Sequence, residues 1–297
     1  MLRHVTYKRN EKDFATKVVE DDANGNVTMY VDDKPVVTAE IDDVTGMFRI
    51  SAAGVADIFP SPAYSPIGQI PWASFGDSIA NISTVSGFDL RQATAASGVD
   101  GQRMGAWLDI HTNGLLRPVG NGGVNGQTTT QMLARADGSK SVKDIASTGA
   151  RIVVNSMGIN NIQTIAGGAD LATIDGVVST AVSESIQILK RQVSLGMYPV
   201  TPSLFGYAPQ TATAGEISTR QAAVIKYNAA LGAAIAAANG ALGSWVNVYQ
   251  QVVDTSGAWI ANYDSGDGLH PGYVGCKVAY APVAVECVRV AGLMSIP

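Results

Sequence analysis

Ser78 stands in "PWASFGDSIANIS", Pro71 to Ser83, where a Gly-Asp-Ser turn follows directly on a short apolar run. A serine hydroxyl is a weak nucleophile until a positioned base takes its proton. The stretch "DGLHP", Asp267 to Pro271, holds the two groups such a serine needs. Three residues apart in a tight loop, the Asp267 carboxylate can reach the Nδ1–H of His270, fix its tautomer and favour the imidazolium. His270 then presents Nε2 to Ser78. Acyl transfer also needs donors for the developing oxyanion, and losing one costs about 3 kcal/mol. Gly126 in "VNGQT" can offer a backbone N–H with no side chain in the way, and Asn160 in "MGINN" can offer a side-chain amide.

Each signal has a plainer reading beside it. Gly, Asp and Ser are ordinary turn residues, so the tripeptide alone does not separate a nucleophile from a turn. Asp267–Pro271 equally suits a turn capping a helix, with Pro271 at its first position. "GNGGVNGQ", Gly120 to Gln127, alone reads as a flexible glycine loop, and no Gly-Lys-Ser/Thr follows to make it a phosphate loop. Asn160 alone reads as a turn residue. Asp77 reads as a structural turn acid. His111 is the one rival base in the main domain; its nearest acid is Asp109, two residues away, and it reads as a loop or pocket residue. Asn228 reads as a core-side helix residue bonding backbone.

The elements that must hold these residues begin after Pro71. Strands are expected near Trp72–Phe75, Leu115–Val119, Ile152–Ser156, Tyr198–Leu204 and Trp245–Val253. Helices are expected at 128–136, 171–195, 215–239 and 272–292. Val178, Val182, Ile186, Leu189 and Val193 recur at helical steps on one face of the second helix. Val224, Leu231 and Ile235 do so on the third, which ends near Asn239-Gly240, a left-handed stop. Apolar strands alternating with helices imply a parallel sheet covered on both faces, with the binding crevice beyond the carboxyl ends of its strands. Ser78 falls there.

Residues 1–50 differ in kind. They hold 17 of the 45 charged side chains and read as a small β-meander, with Asn24-Gly25 as a hairpin signal. Such a module is marginal alone, so it should pack on the main body, on a partner or on further copies of the chain. Residues 51–71, with four prolines, read as a linker.

Composition bounds the function. The 297 residues are 46% apolar and 15% charged, enough for a large core. A net charge of −5 argues against nucleic acid, which needs a basic face. No run is long enough to span a bilayer, and the polar start is no secretory signal. The chain is therefore expected either to be cytoplasmic when made or to lack a leader. Cys276 and Cys287 lie about 16 Å apart along a helix, too far for a disulfide, and read as buried apolar residues. Two cysteines and three histidines make a zinc cluster hard to build, and no loop has the ligand spacing for magnesium or calcium; no metal or cofactor is expected.

Four stretches, "FGDSI", "GNGGVNGQTTT" (Gly120–Thr130), "VVNSMGINNI" (Val153–Ile162) and "SGDGLHPGY" (Ser265–Tyr273), resemble in order the four sequence blocks of the SGNH (GDSL-type) hydrolase superfamily. The resemblance covers about residues 70–295. It implies a flavodoxin-like three-layer α/β/α fold with a central parallel sheet. It also implies Ser78 as nucleophile, His270 as base and Asp267 as orienting acid, with the Ser78 N–H, the Gly126 N–H and the Asn160 side chain as oxyanion hole. Ile79 replaces the usual Leu after the serine. Asn161 replaces the usual Asp of the third block.

The implied reaction is ester hydrolysis through an acyl-enzyme on Ser78. Short acyl esters, above all O-acetyl groups on carbohydrate, are the leading substrate class; lipids, thioesters and acyl transfer to a sugar are alternatives within the superfamily. Small β-modules also accompany such domains in phage tail fibres, where a glycan-binding module with a vestigial hydrolase core is a different reading. By that analogy the β-module is an attachment or homo-oligomer element, and the protein virion-associated or secreted.

Overall fold

The computed structural model describes residues 2–9, 12–21, 26–31, 34–41, 48–51, 70–81, 107–108, 111–112, 115–135 and 138–293. The chain divides into two units, Met1–Gly68 and Gln69–Pro297. In the first, β1 (Leu2–Arg9), β2 (Lys12–Asp21), β3 (Asn26–Val31), β4 (Lys34–Ile41) and β5 (Phe48–Ser51) pair in sequence order as an antiparallel meander. It has one strand, β1, beyond those the β-branched runs suggested. Asp21 faces Asn26 across β2 and β3; the Asn24-Gly25 turn between them, like 52–69 of the expected linker, lies outside the described residues. Ile70 and Pro71 belong to a strand rather than to that linker.

In the second unit, β6 (Ile70–Gly76), β7 (Leu116–Gly123), β8 (Ile152–Ser156), β9 (Tyr198–Pro202) and β10 (Ser244–Val246) form one parallel sheet in the order β7-β6-β8-β9-β10. Numbered from β6, that order is 2-1-3-4-5, the flavodoxin-like arrangement. Trp72 and Val154 point into one core, Ala73, Phe75 and Val153 into the other, because successive strand side chains alternate faces. This double burial explains the continuous apolar runs of β6 and β8.

The helices are α1 (Ser78–Asn81), α2 (Thr129–Ala134), α3 (Val142–Ser147), α4 (Ile159–Gln163), α5 (Leu171–Ser194), α6 (Ala214–Ala237), α7 (Tyr249–Val252) and α8 (Tyr273–Leu293). Helices α5 and α6 cover one face of the sheet; α8 covers the other through Tyr280, Val283 and Ala284. Cys276 and Cys287, both free and fully buried, sit on that same α8 face, where desolvation pushes their thiols well up. Among the described residues no helix is long and apolar enough to cross a membrane.

Four expectations need correction. Strand β7 runs on to Gly123, so Gly120–Gly123 is strand rather than loop. At its last two residues a side chain has no room: a Cβ on Gly122 would lie 2.2 Å from Ile145 Cδ1, and one on Gly123 2.0 Å from the Asn81 nitrogen. β9 stops at Pro202, and β10 at Val246; the rest of the expected last strand turns into α7. The buried stripe of α5 runs through Ile174, Val178, Ala181, Ser185, Ile188, Leu189 and Gln192, leaving Val193 exposed. Two polar side chains take core places because they are bonded there, Ser185 to the Tyr227 hydroxyl at 2.9 Å and Gln192 to the Asn155 amide at 2.7 Å.

Candidate active site

The order of the strands sets the site. The sheet's topological switch point lies at the carboxyl end of β6, between β7 and β8. There Gly76 turns the chain with φ +143°, and a Cβ on it would fall 1.8 Å from Ser156 O at the end of β8. Only glycine fits. The Asp77 N–H donates to that same carbonyl at 3.1 Å, and Asn81 N–H closes α1 on Asp77 O at 3.0 Å. Ser78 thereby begins a one-turn helix whose first amides have no intrahelical acceptor. Its own N–H meets no acceptor among the described residues.

Asp77, the turn acid, is fully buried. Its Oδ1 accepts the Ile79 N–H at 3.0 Å and the Ser156 hydroxyl at 2.8 Å, while Oδ2 has no hydrogen-bond partner. Desolvation outweighs those bonds and the nearby His270 charge, and raises its pKa from 3.8 to about 6.

The other half of the site comes from the loop before α8. Gly268 has φ +71°, and a Cβ there would stand 1.9 Å from Ala208 O. Its carbonyl instead accepts the Ala208 N–H at 2.8 Å and the Trp259 indole N–H at 3.0 Å. The Gly268 N–H donates to Asp264 Oδ2 at 3.0 Å, and Ser265 N–H to His270 O at 2.9 Å. The loop is a clamped turn.

His270 stands between Asp267 of this loop and Ser78 of α1. His270 Nδ1–H donates to Asp267 Oδ2 at 2.6 Å, leaving the Nε2 lone pair to accept the Ser78 hydroxyl at 2.7 Å from 192 residues away. Asp267 Oδ1 accepts the Leu269 and His270 N–H groups, both at 2.8 Å. Burial by itself would raise the Asp267 pKa; the His270 bonds and the Leu269 N–H outweigh it and hold the carboxyl well below the usual range. The His270 pKa is raised, first by the Asp267 hydrogen bond, against partial burial, with the charges of Asp267 and Asp77 adding. Such a chain can draw a proton from Ser78 and hold it as an Asp-paired imidazolium.

Gly126 lies beyond β7, in a segment tied to the serine turn. Val124 N–H donates to Gly76 O at 3.0 Å, and the Asn81 amide donates to Asn125 Oδ1 at 2.9 Å. Lys140 Nζ reaches both Asn81 Oδ1 (3.1 Å) and Gly123 O (2.9 Å), and Arg135 Nη1 reaches Gly122 O (3.0 Å). Gly126 has φ +72°, and its N–H meets no acceptor among the described residues. Asn160, at the start of α4, donates through Nδ2 to Gln127 O at 3.0 Å; an amide has a second hydrogen to spare. Asn161 Oδ1 accepts the Thr129 N–H at 2.9 Å, so an amide oxygen holds the start of α2 at the position where a carboxylate is usual.

His111 lies elsewhere, its Nε2 donating to Lys277 O at 3.0 Å; Asp109 lies outside the described residues. Asn228 bonds backbone as expected, its amide pairing both ways with Leu204 at 2.8 and 3.1 Å. Sequence reasoning missed Ser156, Asp264, Trp259, Arg135 and Lys140. Four of them brace glycines, Arg135 and Lys140 at Gly122-Gly123 and Asp264 and Trp259 at Gly268, and those glycines were the available signal; Ser156, bonded to Asp77, had none.

No protein-family profile matches the sequence, and no curated protein does. Solved structures do match. A structure described as a lipolytic protein of the G-D-S-L family from Desulfitobacterium hafniense aligns at TM-score 0.51 and 12% identity, over 73% of this chain and 99% of its own. One described as an acylhydrolase from Bacteroides fragilis aligns at 0.50 and 17% identity, over 80% and 95%. A gut microbial diltiazem-metabolizing enzyme aligns at 0.51 and 14% identity, over 75% of this chain and 46% of its own. With its 2-1-3-4-5 sheet between two helical layers, the second unit of this chain has the fold of the SGNH (GDSL-type) hydrolases.

Proposed function

We propose that the protein is a serine ester hydrolase working through an acyl-enzyme on Ser78, with short acyl esters, chiefly O-acetyl groups on carbohydrate, as substrates. The observation that carries this reading is the unbroken chain Ser78 Oγ–His270 Nε2 (2.7 Å) and His270 Nδ1–Asp267 Oδ2 (2.6 Å) at the sheet's switch point. In the reaction His270 takes the Ser78 proton as Oγ bonds to the ester carbonyl carbon. The carbonyl oxygen, now anionic, is met by the N–H groups of Ser78 and Gly126 and the second Nδ2 hydrogen of Asn160. On collapse the C–O bond to the alcohol breaks, and His270 returns its proton to the leaving oxygen. Water then attacks the acyl-Ser78 ester by the same route, releasing the acid.

The wild-type protein should release p-nitrophenol from p-nitrophenyl acetate, and Ser78→Ala should lower kcat by at least about 10⁴-fold with an unchanged melting temperature. Equal rates for the two proteins would remove Ser78 from the chemistry.

A further inference from the structure

A cavity of ≈ 350 Å³ adjoins the acid of the Ser78–His270–Asp267 chain. That is within the range of about 300–1,000 Å³ typical of small-ligand sites. Asp267 and Leu269 line it from the clamped loop, Gln163 from the end of α4, and Glu216 and Arg220 from the first two turns of α6, with Ala212 among the residues between. Gln163 is one helical turn beyond Asn160, so the cavity continues the row of α4 side chains that starts at the proposed oxyanion donor. The Asp267 side chain is 50% exposed, and this cavity lies against it.

The chemistry of the walls selects a ligand. Among the lining residues the one cation, Arg220, is already paired at each nitrogen: Nε donates to Ile165 O (2.8 Å), Nη1 to the Tyr207 hydroxyl (2.6 Å) and Nη2 to the carboxylate Glu216 Oε1 (3.1 Å). Glu216 Oε2 accepts the Thr213 N–H and hydroxyl, both at 2.9 Å. An anionic group would thus meet two carboxylates, Glu216 and Asp267, and no uncommitted positive charge. A purely apolar chain would bury polar walls without replacing their water. Gln163 Nε2, by contrast, is buried with no partner, and a turn of its side-chain amide toward the cavity lets an incoming oxygen satisfy it. Leu269 adds an apolar surface beside it.

We infer that this cavity is a subsite for a neutral, hydroxyl-bearing ring, the sugar moiety of the ester's alcohol, which covers Asp267 while Gln163 donates to one of its oxygens. The inference rests on the ester-hydrolase reading for the place of the reacting bond. Covering the half-exposed acid removes water from the Asp267–His270 pair and strengthens it. Sugar esters therefore gain in kcat as well as in KM over esters with no sugar.

The test uses the full chain carrying Ser78→Ala, titrated calorimetrically with partially O-acetylated oligosaccharides of xylose, glucose and N-acetylglucosamine, and with an oligogalacturonate as the charged control. At least one neutral oligosaccharide should bind. Adding Ala212→Trp, which fills the cavity, should weaken that binding at least tenfold, and adding Gln163→Ala severalfold. The side-chain amide resonance of Gln163 should shift on titration, a readout that stands even if Ala212→Trp does not fold. In the Ser78 protein, the ratio of kcat/KM for the bound glycan ester to that for p-nitrophenyl acetate should fall in step. The subsite is overturned if no neutral oligosaccharide binds, if the Gln163 resonance and the ratio stay unmoved, or if the oligogalacturonate binds as well. Binding that depends on Gln163 with no hydrolysis of any ester would instead sink the hydrolase reading and leave the subsite standing.

Discussion

Asp77 and His270 are the two titrating groups whose surroundings decide how the site responds to pH. His270 must be neutral to accept the Ser78 proton, and its bond to Asp267 raises its pKa above the usual value of about 6.5. The kcat/KM for p-nitrophenyl acetate should therefore rise with pH through a single acid limb centred above about 6.5. A flat profile from pH 5 to 8 would exclude His270 as base. Asp77 contributes to that raised value by its charge, so Asp77→Asn should move the limb to lower pH. The same variant has a stability signature. The folded chain binds the Asp77 proton more tightly than the unfolded chain does, so the stabilisation from protonated Asp77 is present below about pH 4 and lost as pH rises to about 6. In urea melts, the stability of Asp77→Asn relative to wild type should grow by as much as about 3 kcal/mol between pH 4 and pH 7. No change in that difference would mean Asp77 is ionised throughout. Both roles were invisible in the tripeptide Gly76-Asp77-Ser78, since the burial of Asp77 comes from chain packed around it.

Turns and helix starts carry the next set of constraints. The clamped loop depends on Gly268, at φ +71° with Ala208 O in the place of a Cβ. Gly268→Ala should cost at least about 1–3 kcal/mol in thermal or urea unfolding and lower kcat further, since the loop holds His270. Native-like kcat in a destabilised variant would show that the loop does not position the imidazole. At the start of α2, Asn161→Leu removes the acceptor for the buried Thr129 N–H and should cost about 1–3 kcal/mol, whereas Asn161→Asp keeps an oxygen there and should stay close to wild type. Equal losses in the two would assign the residue's effect to packing. The elements themselves were largely legible: β8 falls where the apolar run predicts, and α6 buries Val224, Leu231 and Ile235 as its period predicts. The exceptions share one cause. Gly120, Gly122 and Gly123 lack the side chains by which a strand is recognised, and Ser185 and Gln192 are polar yet buried, because each meets a partner from a different element.

Across the whole chain, every residue of the candidate site belongs to the unit Gln69–Pro297. Removing residues 1–68 should leave kcat/KM for p-nitrophenyl acetate within about twofold; a large loss would mean the second unit does not function alone. The β1–β5 meander, whose edges are β1 and β5, is proposed as the self-association element, so light scattering should show the shortened chain at a lower oligomeric state than the full one. An unchanged oligomeric state would mean the meander does not drive self-association. By itself the sequence determined what is local: the Gly-Asp-Ser turn, the Asp-x-x-His spacing, the helical periods and the alternation that demands a covered parallel sheet. These rest on backbone preferences and on contacts a few residues long. Only the tertiary structure decided that β6 lies between β7 and β8, that Ser78 and His270 meet across 192 residues, and that Asp77 is sealed from water. Those outcomes depend on which elements pack side by side, and burial is a property of neighbours distant in the chain.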